Sequence, residues 1–182
     1  MLIGEIKLPA ALIVPWSIEV FVVLRQNLPS LIVFIAICFA VSAVGGLVTA
    51  TSVGGWYQTL QKPAFNPPDW LFGPVWAVLY LFMAIAGWRV WCREDDPGRK
   101  AALTAFAVQL FLNLLWSFLF FGLKNPGLAL LEIFLLVVLI AVTTVLFWRI
   151  DRIAGALFLP YLAWVSYATL LNAALWTMNT PK

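Results

Sequence analysis

Five long stretches of this chain carry almost no charge, and they constrain its fold more than any other feature. Four are uncharged through their whole apolar run, and the one at residues 125–148 contains only Glu132. A helix that crosses a bilayer needs about 20 mainly apolar residues, whereas membrane β-strands are about ten residues long and alternate in polarity. The stretches predict an all-α integral membrane protein, a bundle of five transmembrane helices at about 31–53, 70–91, 101–123, 126–148 and 153–177.

The overall composition supports a membrane protein and excludes several other classes. Of 182 residues, 64% are hydrophobic and only 10% are charged, whereas soluble domains carry roughly 45–50% apolar and about 25% charged residues. A chain this short cannot hide so much apolar surface from water. An ordinary soluble enzyme, a disordered protein and a nucleic-acid binder are therefore excluded, and membrane lipid is the expected surrounding. The net charge of +3 requires no polyanionic partner.

Helix-start signals lie between the predicted spans. Asn125-Pro126 predicts an N-cap followed by a proline at the first helical position. Asp69 is expected to cap the second span, directly after the stiff pair Pro67-Pro68. Residues 95–98 form a polar turn. The loops are short apart from the first, residues 54–69.

Residues 1–27 are set apart from the bundle, which we place at residues 28–182 as a single domain. The run 8–24 is apolar, but it contains two prolines and Glu19. We therefore expect an interfacial or poorly ordered extension rather than a sixth span. The segment also lacks the basic start and the small-residue cleavage site of a secretory signal.

The distribution of lysine and arginine predicts the orientation of the bundle. With five spans, the N-terminus and the second and fourth loops share one side of the membrane. Because cytoplasmic loops are enriched in these residues, the N-terminus is expected in the cytoplasm. Its side holds eight basic residues and the other side three: Lys7, Arg25, Arg89, Arg93, Arg99, Lys100, Arg149 and Arg152, against Lys62, Lys124 and Lys182.

Several common catalytic and metal-binding patterns are missing from the sequence. The chain contains no histidine, which removes the commonest metal ligand and the usual general base near neutral pH. Cys38 and Cys92 are expected to be buried, unreactive thiols. No phosphate-binding loop, catalytic carboxylate pair or nucleophile motif is present. The sequence therefore predicts no metal site and no catalytic residue of these kinds.

Glu132 is the one ionisable residue well inside a predicted span. An acid within the membrane is a candidate functional site, because burying a charge in lipid is costly. The alternative is an acid near a helix end that reaches the interface or is hydrogen-bonded. Both interpretations stay open, and a single acid without histidine does not favour a proton-coupled pump.

Ten tryptophans are many for a chain of this size. Trp76, Trp116 and Trp164 lie inside spans two, three and five. They either pack within the bundle or line a cavity for a flat apolar ligand, with the indole N–H as a donor. The tryptophans near span ends indicate the aromatic belt of a membrane protein; they are Trp70, Trp88, Trp91, Trp148 and Trp176.

Polar and small residues inside the spans indicate contacts between helices. Gln109, Asn113 and Asn172 cannot be satisfied by lipid. They form hydrogen bonds between helices or serve as polar anchors in a pocket. Small residues that recur every four positions let helix backbones approach closely, within the bundle or between protomers. The first span has this pattern at Ser42, Gly46, Ala50 and Gly54.

The first loop, residues 54–69, is too long and too aromatic for a simple turn. Three prolines restrict it, and its aromatic side chains give it an apolar face. Such a loop is expected to fold back over the bundle as a lid.

A series of motifs runs from this loop to the last span. It begins with Trp56-Tyr57, Lys62-Pro63, Pro67-Pro68-Asp69-Trp70, Gly73-Pro74-Val75-Trp76 and Leu79-Tyr80. It continues with Gln109-Leu110, Leu112-Asn113, Trp116, Phe120-Phe121-Gly122, Pro160-Tyr161-Leu162-Ala163-Trp164, Ala168-Thr169, Leu171-Asn172, Trp176 and Asn179. In this order the motifs closely resemble the translocator protein family, the TspO/peripheral-type benzodiazepine receptor group. The resemblance covers about residues 30–179 and is highly specific.

The resemblance implies a five-helix bundle, a homodimer, and a ligand cavity closed by the first loop. Family members bind porphyrins such as protoporphyrin IX and haem-related tetrapyrroles, and many bind cholesterol or synthetic benzodiazepine-type ligands. A porphyrin or haem would be the ligand, with no cofactor required. By matching position, the ligand site should consist of Ala50, Phe72, Gly73, Val75, Trp76, Asn113, Trp116, Leu128, Trp164, Ala168 and Leu171, with Trp56 and Tyr57 in the lid.

One departure from the family concerns cholesterol. Animal members carry a cholesterol-recognition stretch late in the fifth span, with a tyrosine followed by an arginine. Here Ala173 stands at the tyrosine position, and Thr177 and Met178 provide no basic residue. The sequence therefore argues against high-affinity cholesterol binding and favours a bacterial-type member in a bacterial cell membrane.

Three functions are compatible with the sequence, and it favours the first. This is a receptor or transporter-like membrane protein that binds tetrapyrroles and other flat hydrophobic ligands under the first loop. The second is an enzyme that degrades porphyrins with light and oxygen, with Trp76 and Trp164 as the reactive partners. The third is a scaffold whose assembly with partners is regulated by its ligand.

Overall fold

The structure is a computed structural model that describes residues 16–180, with side chains described from residue 27 onward. Within this part of the chain there is no strand. The elements are α1 (Trp16–Val53), α2 (Trp56–Thr59), α3 (Asp69–Trp91), α4 (Arg99–Ser117), a π-helix (Phe118–Gly122), α5 (Pro126–Ile150) and α6 (Arg152–Asn179). Among the described residues, five helices are long and apolar enough to cross a membrane, α4 and the π-helix together forming one of them. The prediction of an all-α, five-span integral membrane protein is confirmed.

The first helix is longer than the sequence predicted. It begins at Trp16 and is 38 residues long, whereas the prediction placed its start near residue 31. Its membrane-spanning part is Asn27–Val53. Pro29 lies inside the helix, which membrane helices tolerate. Of the predicted extension at residues 1–27, residues 1–15 lie outside the described part of the chain. From Trp16 onward, its backbone belongs to α1.

The five membrane helices form a closed circle. Its order is α1, α3, α6, α5 and α4, and α4 packs back on α1. Aromatic side chains fill the half of the bundle away from α2. There Phe106 stacks on Phe147 with ring centroids 5.9 Å apart, and Phe158 packs against both rings. The half beneath α2 is less filled, and this is where a cavity remains.

Two predicted helix starts have different outcomes. Asn125 caps α5 as predicted, because its Oδ1 accepts a hydrogen bond from Leu128 N at 3.0 Å. The prediction that Asp69 caps α3 is wrong, because Pro68 precedes the helix and Asp69 is already its first residue. A cap must stand before the helix to accept from the free N–H groups of the first turn. The Asp69 carboxylate instead accepts from Gln58 Nε2 at 2.7 Å.

Asp151 separates α5 from α6 and ties the bundle together at the end opposite α2. Its carboxylate accepts a hydrogen bond from Ala154 N at 2.9 Å and forms ion pairs with Arg89 and Arg93, both at 2.8 Å. Burial alone would raise the pKa of Asp151. The hydrogen bonds from the two arginines and from Ala154 outweigh burial and hold this pKa well below its usual value. No local sequence pattern signals this meeting of residues.

Candidate functional site

A cavity of about 370 Å³ lies between the five membrane helices, beneath the lid formed by residues 54–69. Its volume is in the range of roughly 300–1,000 Å³ that is typical of small-molecule sites. Every membrane helix contributes to its wall. Ten of the thirteen residues predicted as ligand contacts line it: Ala50, Tyr57, Phe72, Gly73, Trp76, Asn113, Trp116, Trp164, Ala168 and Leu171. That they contact a ligand stays a prediction.

Three tryptophans from three helices meet at the cavity. Trp76 of α3, Trp116 of α4 and Trp164 of α6 all line it. Each also packs against a neighbour in the bundle. The Trp116 ring stacks on Phe120 with centroids 5.0 Å apart, and Trp164 meets Phe72 edge-on at 6.0 Å. The two alternatives left open by the sequence, packing and cavity lining, therefore both hold.

The three indole N–H groups differ in how they are satisfied. Trp116 Nε1 donates to Asn172 Oδ1 at 3.1 Å, which holds that ring in place. Within residues 27–180, the indole N–H groups of Trp76 and Trp164 have no hydrogen-bond partner. These two groups are therefore available to donate to a molecule in the cavity.

A chain of hydrogen bonds forms a polar floor beneath the tryptophans. Tyr80 Oη donates to Asn113 Oδ1, and Asn113 Nδ2 donates to Tyr161 Oη at 3.1 Å. Tyr161 Oη in turn donates to Gln109 Oε1 at 3.0 Å. Tyr80 and Asn113 face the cavity, and the other two residues are buried behind them. The network joins α3, α4 and α6, so Gln109 and Asn113 form the predicted hydrogen bonds between helices.

Tyr57 is the lid residue that closes the cavity. It is buried, lines the cavity and packs against Phe121 with ring centroids 5.8 Å apart. Its hydroxyl donates to Asn66 Oδ1 at 2.9 Å, and Lys62 Nζ lies 4.4 Å from its ring centroid. Burial, followed by the nearby charge of Asp69, raises the pKa of Tyr57 to about 12. The phenol is therefore neutral at physiological pH.

The lid is hydrogen-bonded to α6. Tyr167 Oη donates to Phe65 O at 2.5 Å. Gln61 N donates to Asn179 Oδ1 at 2.9 Å, and Asn179 Nδ2 donates back to Gln61 O at 3.0 Å. The first loop therefore covers this side of the cavity, as the sequence predicted, and contacts distant in sequence hold it there.

Three predicted site residues lie outside the cavity wall. Trp56 packs against Phe120 with ring centroids 5.7 Å apart and borders a smaller cleft. Val75 packs against the apolar core, and Leu128, at the start of α5, is 43% exposed. All three stand on elements that border the cavity. Successive helical positions are turned by about 100°, so a neighbour of a lining residue faces elsewhere.

Sequence reasoning missed the wall contributed by the π-helix, Phe118–Gly122. Phe120 and Phe121 line the cavity, and both rings contact Trp116. The motif Phe120-Phe121-Gly122 was part of the family resemblance, but nothing in it shows a π-helix, a form that often occurs at functional sites. The other residues of the wall that the prediction omitted are Ser42, Gly45, Gly46, Thr49, Val53, Asp69, Tyr80, Ser117, Ile133, Leu136, Val165, Asn172 and Leu175.

Glu132 is buried next to the cavity wall, only 8% exposed and adjacent in sequence to the lining residue Ile133. Neither of its carboxylate oxygens has a hydrogen-bond partner in the described part of the chain. Among the described residues, the carboxyl group therefore has neither the exposure nor the hydrogen bond that the second interpretation expects. A buried carboxyl group without a hydrogen-bond partner lowers the stability of the fold.

The remaining polar chemistry is sparse. Among residues 16–180, no group of three or more cysteine or acidic side chains is arranged to hold a metal ion. Cys38 and Cys92 are both free thiols, the first buried and the second only half-buried. Burial raises the pKa of Cys92, so this thiol stays protonated.

This geometry defines a class of protein. It is a multi-pass membrane protein with a ligand-sized cavity inside its helix bundle. Comparison with known proteins places the chain more narrowly. The sequence profile of the TspO/MBR family matches residues 34–177. The chain therefore belongs to the TspO/MBR family, as its motifs predicted.

Relatives from distant organisms match most of the chain. The tryptophan-rich protein TspO of Chlorobaculum tepidum is 38% identical over 163 residues, which cover 86% of this chain and 99% of the relative. The tryptophan-rich sensory protein of Cereibacter sphaeroides is 38% identical over 146 residues, 80% of this chain and 89% of the relative. The human translocator protein is 39% identical over 126 residues, 68% of this chain and 75% of the relative.

Proposed function

We propose that this protein is a receptor or transporter-like membrane protein that binds tetrapyrroles, such as protoporphyrin IX and haem-related porphyrins, in the cavity beneath its lid. The observation that carries the proposal is the meeting of Trp76, Trp116 and Trp164 at one cavity. Large aromatic faces stack on a flat conjugated ring, and apolar burial adds to the binding free energy. No cofactor is required, because the porphyrin or haem is itself the ligand.

The polar groups of the cavity would orient such a ligand. The free indole N–H groups of Trp76 and Trp164 can donate hydrogen bonds to ring nitrogens or side-chain oxygens of a tetrapyrrole. Asn113 stands at the floor, held by Tyr80 and Tyr161, so its amide is already oriented. A few fixed polar groups in an apolar wall are typical of small-molecule sites.

Tryptophan fluorescence tests this proposal. Protoporphyrin IX titrated into the protein in lipid nanodiscs should quench the fluorescence and saturate. Trp76→Phe combined with Trp164→Phe should weaken binding about tenfold or more, because phenylalanine keeps an aromatic ring but lacks the indole N–H, and each lost hydrogen bond costs about 0.5–1.5 kcal/mol. Trp148→Phe, at an exposed helix end, is the matched control and should bind like the wild type. Equal affinity of the double variant and the control would place the ligand elsewhere.

A second candidate function is porphyrin degradation driven by light, with molecular oxygen as the oxidant. It is favoured by the position of Trp76 and Trp164, which line the cavity with unbonded indoles that can take part in radical chemistry without an acid–base residue. Illumination of the protein with protoporphyrin IX in air should then yield a new absorbing product. The product should disappear in Trp76→Phe or Trp164→Phe. Recovery of unchanged porphyrin after illumination would exclude degradation and leave binding as the function.

We also propose that the N-terminus lies in the cytoplasm of a bacterial cell. Lys62 and Lys124 lie at the lid end of the bundle, and the opposite end carries Arg89, Arg93, Arg99, Arg149 and Arg152. The positive-inside rule then puts the lid outside. In a Cys38→Ala, Cys92→Ala background, Lys62→Cys should react with an impermeant maleimide added to intact cells. Reaction only after lysis would reverse the orientation.

A further inference from the structure

The helix α1 presents small residues to the cavity. Ser42, Gly46 and Ala50 follow one another at intervals of four residues and all line it, as does Gly73 on α3. Gly46, Ala50 and Gly73 are also exposed residues. Exposed residues without a large side chain, standing together in a cavity wall, indicate that the wall is open there.

This opening lies between α1 and α3, in the half of the bundle near the lid. A side chain added at Gly46 or Gly73 would meet no other described group within 4 Å. At the far end the same two helices are in tight contact, because a Cβ atom at Gly87 would lie 2.8 Å from the ring of Phe34. The two helices therefore touch at one end and separate toward the lid.

The neighbouring seam between α1 and α4 is closed. A Cβ atom at Gly45 would lie 3.3 Å from Ser117 Oγ. Closer to the lid, Ser52 Oγ of α1 donates to Phe121 O of the π-helix at 2.7 Å. The opening is thus a property of the α1–α3 seam and not a general looseness around α1.

The opening lies inside both membrane-spanning segments, Asn27–Val53 and Asp69–Trp91. With a rise of about 1.5 Å per residue, Gly46 lies about 10 Å from the end of α1 at Val53, and Gly73 lies about 6 Å from the start of α3 at Asp69. Above the opening, Gln58 Nε2 donates both to Val53 O at 2.9 Å and to the Asp69 carboxylate at 2.7 Å. This bridge separates the opening from the aqueous side.

We propose that the α1–α3 gap is the entrance of the cavity, through which a flat ligand dissolved in the membrane passes sideways from the lipid. The aqueous side is covered by a lid bonded to Tyr167 and Asn179. The lipid side is bordered by Gly46, Ala50 and Gly73. The small residues on α1 are then the edge of a passage, and their size determines which ligands enter. The inference rests on the proposed tetrapyrrole site.

Binding kinetics test the entrance directly. The full chain in phosphatidylcholine nanodiscs is mixed with protoporphyrin IX, and quenching is followed by stopped flow. Gly46→Leu and Gly73→Leu, separately and together, have space to fold and should narrow the gap. Association and dissociation rate constants should both fall, by about tenfold in the double variant, because a narrowed gap slows passage of the ligand in both directions. The matched control is Gly54→Leu, an exposed glycine with open space outside the cavity wall, which should bind at the wild-type rate.

A second measurement does not depend on tetrapyrrole binding. Ala168→Cys, in a Cys38→Ala, Cys92→Ala background, places one thiol in the cavity wall. A lipid-soluble maleimide should label it, and the two leucine substitutions should slow the labelling, whereas Gly54→Leu should not. Slowed labelling in a protein that binds no protoporphyrin IX would support the entrance and refute the proposed ligand.

Two results would overturn the entrance. A disulfide between Gln61→Cys and Asn179→Cys locks the lid to α6. If this disulfide slows ligand association and the leucine substitutions do not, the ligand enters beneath the lid. If Gly46→Cys instead forms a disulfide with a second copy of the chain in the membrane, the gap is covered by an oligomer and is not open to lipid.

Discussion

Replacement of Asn172 by leucine tests how the bundle holds its cavity wall. Asn172 is buried on α6, where its Oδ1 accepts from Trp116 Nε1 at 3.1 Å and its Nδ2 donates to Pro126 O at 2.8 Å. One side chain thus joins α4, α5 and α6. Hydrogen bonds between membrane helices contribute about 0.6 kcal/mol each on average and about 1.7 kcal/mol at most. Losing both should lower the free energy of unfolding by about 1–3 kcal/mol.

The assay is reversible unfolding of the detergent-solubilised protein in increasing dodecyl sulfate, followed by circular dichroism. Thr169→Val is the matched control, because Thr169 is buried on the same helix but bonds only to Val165 O of its own helix, at 2.8 Å. Trp116→Phe removes the donor and keeps an aromatic ring. The losses from Trp116→Phe and Asn172→Leu should not add, because both remove the same hydrogen bond. Fully additive losses, or no loss beyond that of the control, would refute the reasoning.

Three further predictions concern charge and the lid. Because the pKa of Asp151 is lowered in the folded state, its ionised carboxylate stabilises the fold fully above the unfolded pKa of about 3.9, and this stabilisation is lost as the pH falls from there through the lower folded pKa. Asp151→Asn should therefore flatten the acid limb of a plot of Tm against pH. Glu132→Leu should raise the free energy of unfolding by about 1–3 kcal/mol, because it removes a buried carboxyl without a partner; a lower value would show that the carboxyl is satisfied. Asn179→Ala removes both bonds to Gln61, so amide hydrogen exchange in the lid should quicken; unchanged exchange would mean that Tyr167 alone holds the lid.

Local patterns were sufficient where the physics is local. The cap at Asn125 depends on a side chain and an N–H group three residues apart, so the dipeptide Asn125-Pro126 predicted it correctly. The cap expected at Asp69 failed by one position, because the pattern does not show at which residue the backbone turns helical. The π-helix was also missed, since its sequence reads like the apolar helix that precedes it.

The candidate site was predicted through the family resemblance more than through the residues alone. From the residues, Trp76, Trp116 and Trp164 were equally compatible with packing and with a cavity. Nothing in a single helix shows whether its neighbour approaches closely enough to fill the space beside a ring. The residues Trp56, Val75 and Leu128 illustrate the same limit, since their helical register turns them away from the cavity.

By itself, the sequence determined that the chain is a five-span membrane protein, because the thickness of the bilayer requires about 20 apolar residues per helix and any charge interrupts such a run. Only the tertiary structure decided that Asp151 meets Arg89, and that three tryptophans line one cavity. The tertiary structure also decided where the α1–α3 gap lies. Gly87 and Gly73 stand on the same helix, yet the first touches Phe34 and the second borders an opening. A cavity is the space that packing leaves empty, so it depends on every neighbouring side chain at once.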